Sequence, residues 1–400
     1  MTFAGHFPAE AAGIKITRSA PEALAALPYR DETAIKNRAL TEFLAPVTPC
    51  RPRPLIPAPE SRFYRTTGKR RISCRNGKVQ LHFGRTPGRE DVAPSQLEPA
   101  AHMTIYRVVQ QVLSRPRSRA AAAAANYCII RGAGNDRTLI LNVRQLSGDI
   151  VRTMRMTAET VQKEEPSVRS AFLYLDPTGS DYYFEAERPA GELNWKKLFG
   201  PERLSLRIAA PEPQKFLYPP TVFSQINESI LPAFADQLVR LLKPQPADQL
   251  LDLYCGYGLW SLLLAPRLQS VWGAEWSADA VRAARANAAY HLPDHPVRFE
   301  TGAIDTAFLN RLAPPPRHQQ ELILLDPPRH GTAPGVLENL IARRPRRIAH
   351  VFCGVDEIPA ALRIYRHNGC QVEILQPFDF FPGTMNLEVL AIIRPPGSRN

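Results

Sequence analysis

Residues 215–400 predict an α/β fold, a doubly wound and mostly parallel sheet of seven strands, preceded by a mixed α/β domain rich in arginine. Three observations predict it. After Pro211–Pro220 short apolar runs alternate with helix-period segments, the rhythm of strand–helix–strand units. Three of those runs stop abruptly at chemically distinctive residues: a glycine turn after Tyr254, a proline-rigid acid at Asp326 and a thiol at Cys353. Finally, the charge is uneven. Residues 51–150 hold 18 lysines and arginines against six acids, which equals the formal net charge of +12 for the whole chain.

The elements follow in order. Residues 1–45 read as a helical extension, with helical patterns in Pro21–Ala25 and Glu32–Leu44. Cys50–Ser61 is proline-rich and reads as a linker or an irregular entry. Residues 46–210 read as the basic α/β domain. It starts with a hairpin in which Asn76-Gly77 turns between alternating segments. Met103–Ser114 reads as a helix, and Tyr127–Arg131, Thr138–Val143 and Ala171–Leu175 as strands. The run Ala120–Ala125 reads as helix or loose linker and carries no function. In the second half, strands are predicted at Leu250–Tyr254, Ser270–Glu275, Val297–Glu300, Leu322–Asp326, Arg347–Cys353, Cys370–Gln376 and Asn386–Arg394. Helices are predicted at Trp260–Ala265, Ala278–Tyr290 and Pro334–Arg343. The last two strands are joined without a helical pattern, so the final strand is expected to insert antiparallel.

Composition narrows the function classes. No apolar run approaches the roughly 18 residues of a membrane span, and Met1–Glu10 shows no secretory pattern. The six cysteines form no CxxC pair and no zinc spacing, so reduced thiols and a cytoplasmic protein without metal are expected. A monomer is the expected state, because no apolar surface helix stands out. The arginine-rich segment suits bidentate phosphate contacts and reads as a nucleic-acid footprint; the competing reading is a solvated basic face.

In a parallel sheet, the ends of the first, fourth and fifth strands open on the carboxyl edge, where such sheets bind ligands. Gly256 and Gly258 permit a tight turn and close ligand approach. Glu275 follows Tyr254 by 21 residues and ends the second strand, where an acid can accept hydrogen bonds from ribose hydroxyls. Its alternative role is to cap the loop before Ala278–Tyr290. No Walker lysine follows Gly258, which disfavours a nucleoside triphosphate. Asp326-Pro327-Pro328-Arg329 holds its acid on a stiff loop able to wall a planar base; a bare Pro-Pro turn is the alternative. Cys353 differs from Cys370 and Cys255, which read as structural, because it ends a strand at the ligand edge. Glu388 sits amid Leu387, Val389 and Leu390, where burial without a partner is costly; strand alternation could equally turn it to solvent.

In this order and spacing, Phe223-Ser224-Gln225-Ile226-Asn227, Asp252–Gly258, Glu275, Asp326–Arg329, Cys353 and Phe381-Pro382…Glu388 resemble the class I S-adenosylmethionine-dependent RNA 5-methyluridine methyltransferases. The resemblance covers roughly 215–400 and is weak in the basic half, chiefly Phe63-Tyr64-Arg65. It implies a Rossmann-like methyltransferase sheet, S-adenosylmethionine as cofactor and transfer or ribosomal RNA as partner. It implies a thiolate that adds to uracil C6, and a base that removes the C5 proton. By resemblance Cys353 is the nucleophile, Glu388 the base, and Asp326 a contact to cofactor or uracil with a catalytic part. Gln225, Tyr254, Gly256, Gly258, Glu275 and Asp305 map to the cofactor side. The chain departs from the family at Leu259, usually Asn, which implies one cofactor hydrogen bond fewer. It departs again at Gly354-Val355, usually Asn-Pro, and it lacks the metal-binding cysteine cluster of some members. Two other readings stand beside this one: a cytosine-C5 or small-molecule methyltransferase, and a non-catalytic RNA-binding protein on the same fold.

Overall fold

The computed structural model describes residues 2–18, 20–75, 77–83, 95–177, 195–209, 213–313 and 320–397. The chain folds as two units. One comprises Met1–Arg62, Arg207–Phe216 and Ser229–Asn400; the other comprises Phe63–Leu206 and Leu217–Glu228. The division differs from the one expected of the sequence. Residues 1–45 are no separate extension, because their apolar side chains belong to the core of the first unit.

The first unit is built on seven strands: β1 Asp248–Leu253, β2 Ser270–Glu275, β3 Val297–Thr301, β4 Gln320–Leu325, β5 Arg347–Phe352, β6 Gln371–Phe378 and β7 Glu388–Arg394. Their order is β3-β2-β1-β4-β5-β7-β6. β1 pairs parallel with β2 and β4, β2 with β3, and β4 with β5. β7 lies antiparallel between β5 and β6, as its helix-free connection foretold. In the central strand β4, Leu322, Ile323, Leu324 and Leu325 are all buried, as expected of a sheet covered on both faces.

Helices α1 Tyr29–Leu44, α2 Leu231–Leu242, α3 Leu259–Leu264, α4 Ala278–His291, α5 Thr306–Arg311, α6 Val336–Ala342 and α7 Ile358–His367 complete this unit. One face of the sheet buries Leu251, Ile323, Ile348 and Val389 against α5, α6, α7 and the N-terminal segment, which contributes Phe3, Phe7, Leu24, Ile35 and Leu40. Elsewhere in the unit Phe234 of α2 packs on Trp260, Phe378 and Phe380. Pro21–Ala25 forms turns rather than the expected helix, and only the second helical pattern becomes α1. Leu24 N–H bonds to the Gly383 carbonyl at 3.0 Å, so backbone pairing to a distant loop prevails over local helix propensity.

In α1, Lys36 is fully buried. Its Nζ lies 2.8 Å from Asp379 Oδ1, 2.9 Å from Glu32 Oε1 and 3.1 Å from the Phe381 carbonyl. Glu32 also accepts from Gly383 N–H at 2.6 Å and from Arg62 at 3.1 Å. These bonds fix the loop that leads into Glu388.

The second unit has a six-stranded sheet in the order Lys78–His82, Thr67–Arg75, Ala125–Ala133, Asp136–Val143, Val168–Leu175 and Trp195–Phe199. Only Asp136–Val143 and Val168–Leu175 pair parallel. The expected hairpin is present, with Arg75 opposite Lys78; its Asn76 lies outside the described residues. Helices Ala100–Leu113, Arg119–Ala124 and Gly148–Glu164 bury Ile105, Val109, Ala122, Met154 and Val161 with the strand residues Cys128, Leu139 and Leu141.

Candidate active site

Parallel order puts the ends of β1, β2, β4 and β5 on one edge, and the winding changes direction about β1, which opens a crevice there. Tyr254, the first residue beyond β1, has φ of +65°. A left-handed conformation costs a residue with a Cβ stability and is kept where surrounding structure imposes it. Cys255 N–H bonds to the Ala274 carbonyl of β2 and ties the turn to its neighbour. The two glycines then serve different ends. A Cβ on Gly258 (φ +84°) would lie 3.0 Å from Phe299 and 3.2 Å from Ala284, so this glycine lets α4 pack on the turn. A Cβ on Gly256 (φ +55°) would meet nothing within 4 Å, so its backbone faces open space.

Glu275 binds both sides of the crevice. Its Oε2 accepts from Gly256 N–H at 3.2 Å and its Oε1 from Ser277 N–H at 2.8 Å. The bond to Ser277 N–H caps the loop before α4, the alternative role of Glu275, while the helix itself is capped by the Ser277 hydroxyl, which accepts from Ala280 N–H. Burial pushes the Glu275 carboxyl up, against those backbone hydrogen bonds. Asp305 caps α5, its Oδ1 accepting from Phe308 N–H at 2.7 Å. Gln225 is buried in the second unit, its carbonyl accepting from the Thr66 hydroxyl at 3.2 Å.

Asp326 follows β4, and its N–H bonds to the Leu253 carbonyl. Its carboxyl is pushed up to about 6, first by burial and then by Glu275, against hydrogen bonds from Cys353 and the Trp260 indole. Cys353 Sγ lies 3.4 Å from Asp326 Oδ1, within range for a thiol donor. Burial, with the charges of Asp326 and Glu388, pushes the Cys353 thiol well up. The register of β5 and β7 sets Phe352 opposite Val389, so the next pair outward is Cys353 and Glu388. Glu388 is only 2% exposed, and its Oε2 has no hydrogen-bond partner among the described residues. Strand alternation therefore turns it inward. Burial and Asp326 push its carboxyl well up, and Arg329 opposes them.

Gly354 stands where the resembled family has Asn. A Cβ there would come 2.9 Å from the Arg329 carbonyl, so glycine allows the thiol loop and the Asp326 loop to touch. Gly354 N–H bonds to Glu357 Oε1 at 3.3 Å. Trp260 and Glu357 are the site residues that sequence reasoning passed over. Trp260 is one place beyond Leu259 in an apolar run that reads as core. Glu357 starts a helix, where acids are common for capping alone. Burial pushes the Glu357 carboxyl up to about 7. Cys255 and Cys370 are buried, and all six cysteines are free thiols.

These residues fit the expected cofactor. Gly256 leaves room for close backbone approach, Glu275 offers carboxylate acceptors at the end of β2, and a half-buried acid stands at the end of β4. The sheet order, the glycine turn and the acid ending β2 are those of the class I methyltransferase fold.

The model of the tRNA (uracil-5-)-methyltransferase family matches residues 213–394. The chain is 26% identical over 375 residues to the 23S rRNA (uracil(1939)-C(5))-methyltransferase RlmD of Thiobacillus denitrificans, covering 90% of this chain and 80% of that one. An uncharacterized RNA methyltransferase of Streptomyces avermitilis is 38% identical, over 41% of this chain and 38% of its own. Many matches are of this second kind, so the chain spans less than half the length of several curated relatives. Among solved structures, Pyrococcus abyssi tRNA (uracil-54, C5)-methyltransferase in complex with S-adenosyl-L-homocysteine shares the fold, with a TM-score of 0.69 at 16% identity, over 94% of this chain and 86% of that one. Over residues 213–394 the chain is thus similar to the tRNA (uracil-5-)-methyltransferase family.

Proposed function

We propose that this protein methylates C5 of a uridine in transfer or ribosomal RNA through a covalent adduct on Cys353. The observation that carries the reading is the meeting of three groups: Cys353, hydrogen-bonded to Asp326, stands opposite Glu388 across β5 and β7. Uracil C5 is too weakly nucleophilic to be methylated directly, and each group answers one part of that problem.

The resting thiol is protonated, because burial and two acids hold its proton. Asp326 is ionised at neutral pH and receives the thiol hydrogen bond, so it is positioned to take that proton. The Cys353 thiolate then bonds to C6, and the electron pair displaced from the C5–C6 bond makes C5 enolate-like. Tyr254, Gly256, Gly258, Glu275 and Asp305 would hold S-adenosylmethionine, which would supply the methyl group that C5 takes up as the sulfonium sulfur leaves with the bonding electron pair. Glu388 removes the C5 proton; the C5–C6 double bond re-forms and the Cys353 sulfur leaves as thiolate, recovering its proton from Asp326. Burial suits Glu388 to a carbon acid by raising its proton affinity, and Arg329 favours its ionised form.

The target base must leave its stack to reach Cys353. The arginines of residues 51–150 would hold flanking phosphates. The protein is proposed to act in the cytoplasm, as a monomer and without a metal. Among the described residues no helix is long and apolar enough to cross a membrane.

RNA containing 5-fluorouridine tests the reaction, because fluorine at C5 cannot be removed as a proton and the adduct persists. Wild type should form a methylated adduct stable in denaturing electrophoresis, and Cys353→Ala should form none. An adduct that survives in Cys353→Ala overturns the proposal, as does its absence in wild type. Nucleoside mass spectrometry of RNA from a deletion strain should show loss of 5-methyluridine; loss of a methylcytidine instead would favour the cytosine reading.

A further inference from the structure

A cavity of about 440 Å³ opens in the second unit, between the hairpin strand Thr67–Arg75 and the helix Arg119–Ala124. This falls in the range of ligand sites, roughly 300–1,000 Å³, and exceeds what one water needs. Three arginines line it: Arg71 from the strand, Arg119 from the helix and Arg144 just beyond the strand Asp136–Val143. The Arg144 side chain is steered by Asn126 Oδ1 at 3.4 Å. Ser73 lines the cavity too, and among the described residues no acid does.

A second observation points to a ligand. His82 lines the same cavity at 4% exposure, and neither of its ring nitrogens has a hydrogen-bond partner among the described residues. A buried imidazole in this state leaves both of its polar atoms desolvated and unpaired, which is unfavourable until a ligand supplies partners. An oxyanion entering the cavity would accept from the ring N–H as well as from the guanidinium groups. The alanine run also acquires a purpose. Ala122, Ala123 and Ala125 line the cavity, and a longer side chain at these positions would fill it.

We propose that this cavity is a phosphate-binding pocket for the RNA backbone, built from Arg71, Arg119, Arg144 and His82. The proposal rests on RNA being the substrate. Among the described residues no Phe, Tyr or Trp lines the cavity, so it offers a base no broad stacking surface. Planar arginine forks match phosphate oxygens, which a backbone presents whatever its sequence. The pocket thus gives grip and register, and leaves the choice of uridine to other parts of the protein.

The test uses the full chain and a fluorescein-labelled oligouridylate, with affinity read by anisotropy between about 50 and 200 mM salt. The doubly substituted protein, Arg119→Ala with Arg144→Ala, should bind at least ten-fold more weakly. Its plot of log affinity against log salt should be shallower by roughly 0.7 for each phosphate that the variant no longer neutralises. Ala123→Glu, which places a carboxylate in the cavity and removes no arginine, should weaken binding as well. Urea unfolding and circular dichroism should match wild type for all variants, excluding misfolding as the cause. An unchanged salt slope in the double variant overturns the proposal. So does a result in which uridine monophosphate or inorganic phosphate binding depends on these arginines while oligouridylate binding does not, since the pocket then serves a free anion. A protein that grips oligouridylate through this pocket but makes no 5-methyluridine overturns the proposed reaction and leaves the pocket standing.

Discussion

Glu388 is a buried acid and Asp326 a half-buried one, and their surroundings give them different work. Asp326 has the thiol and the Trp260 indole as donors, which hold its rise to about 6. Glu388 Oε2 has no donor among the described residues, and burial together with Asp326 pushes its carboxyl well up. Glu388→Gln should leave methyl transfer intact and block release, and single-turnover gels should show a methylated RNA–protein adduct accumulating on natural uridine. Asp326 sets the acid limb. Adduct formation should fall about ten-fold per pH unit as pH drops below about 6, and Asp326→Asn should lose that limb along with most of the rate. Stability moves the other way. The folded protein holds this proton more tightly than the unfolded chain, whose aspartate has the ordinary 3.8, so this group's contribution declines as pH rises from about 4 to 6. Rapid-quench rates and urea unfolding over that range read the two trends. Sequence alone makes Cys353, Asp326 and Glu275 recognisable, since each ends a strand at a motif. It leaves Glu388 undecided between core and solvent, because a single acid in an apolar strand fits both until register is known. It misses Trp260 and Glu357, whose roles depend on loops meeting in space.

The seven strands of the first unit are legible to within about two residues, because parallel strands buried on both faces leave long apolar runs. The helix Gly148–Glu164 is not among the expected elements, although Ile150, Met154, Ala158 and Val161 trace a buried stripe along it. Arginines and glutamates between those positions mask the stripe to a reader counting charge. The N-terminal helix is legible, but its partners are not, because they lie far along the chain. Lys36 illustrates the consequence. Replacing it by Met would leave Glu32 and Asp379 buried with one cation fewer, a loss of about 3–5 kcal/mol. Urea denaturation should detect that loss. The variant should also break its adduct down more slowly than it forms it, because the bonds from Lys36 hold the loop leading to Glu388.

At the scale of the whole molecule, the basic charge is gathered in residues 51–150, while S-adenosylmethionine contacts are proposed chiefly in the first unit. The two ligands should therefore respond differently to ionic strength. Raising salt from about 50 to 200 mM should weaken RNA binding by orders of magnitude and leave cofactor affinity nearly flat. Parallel titrations measure both; equal sensitivity would assign the charge no part in RNA binding. The long sequence reach of the first unit has a consequence for the ribosome. Lys36 and Asp379 are 343 positions apart, and Glu32 and Gly383 are 351 apart. At a translation speed of roughly 5–20 residues per second, α1 waits some tens of seconds in the nascent chain before its buried charges find their partners. During that interval its apolar face is open to chaperones, and the loop leading to the base has not closed. Synthesis thus delivers the second unit, with its arginines, well before the catalytic unit can be completed.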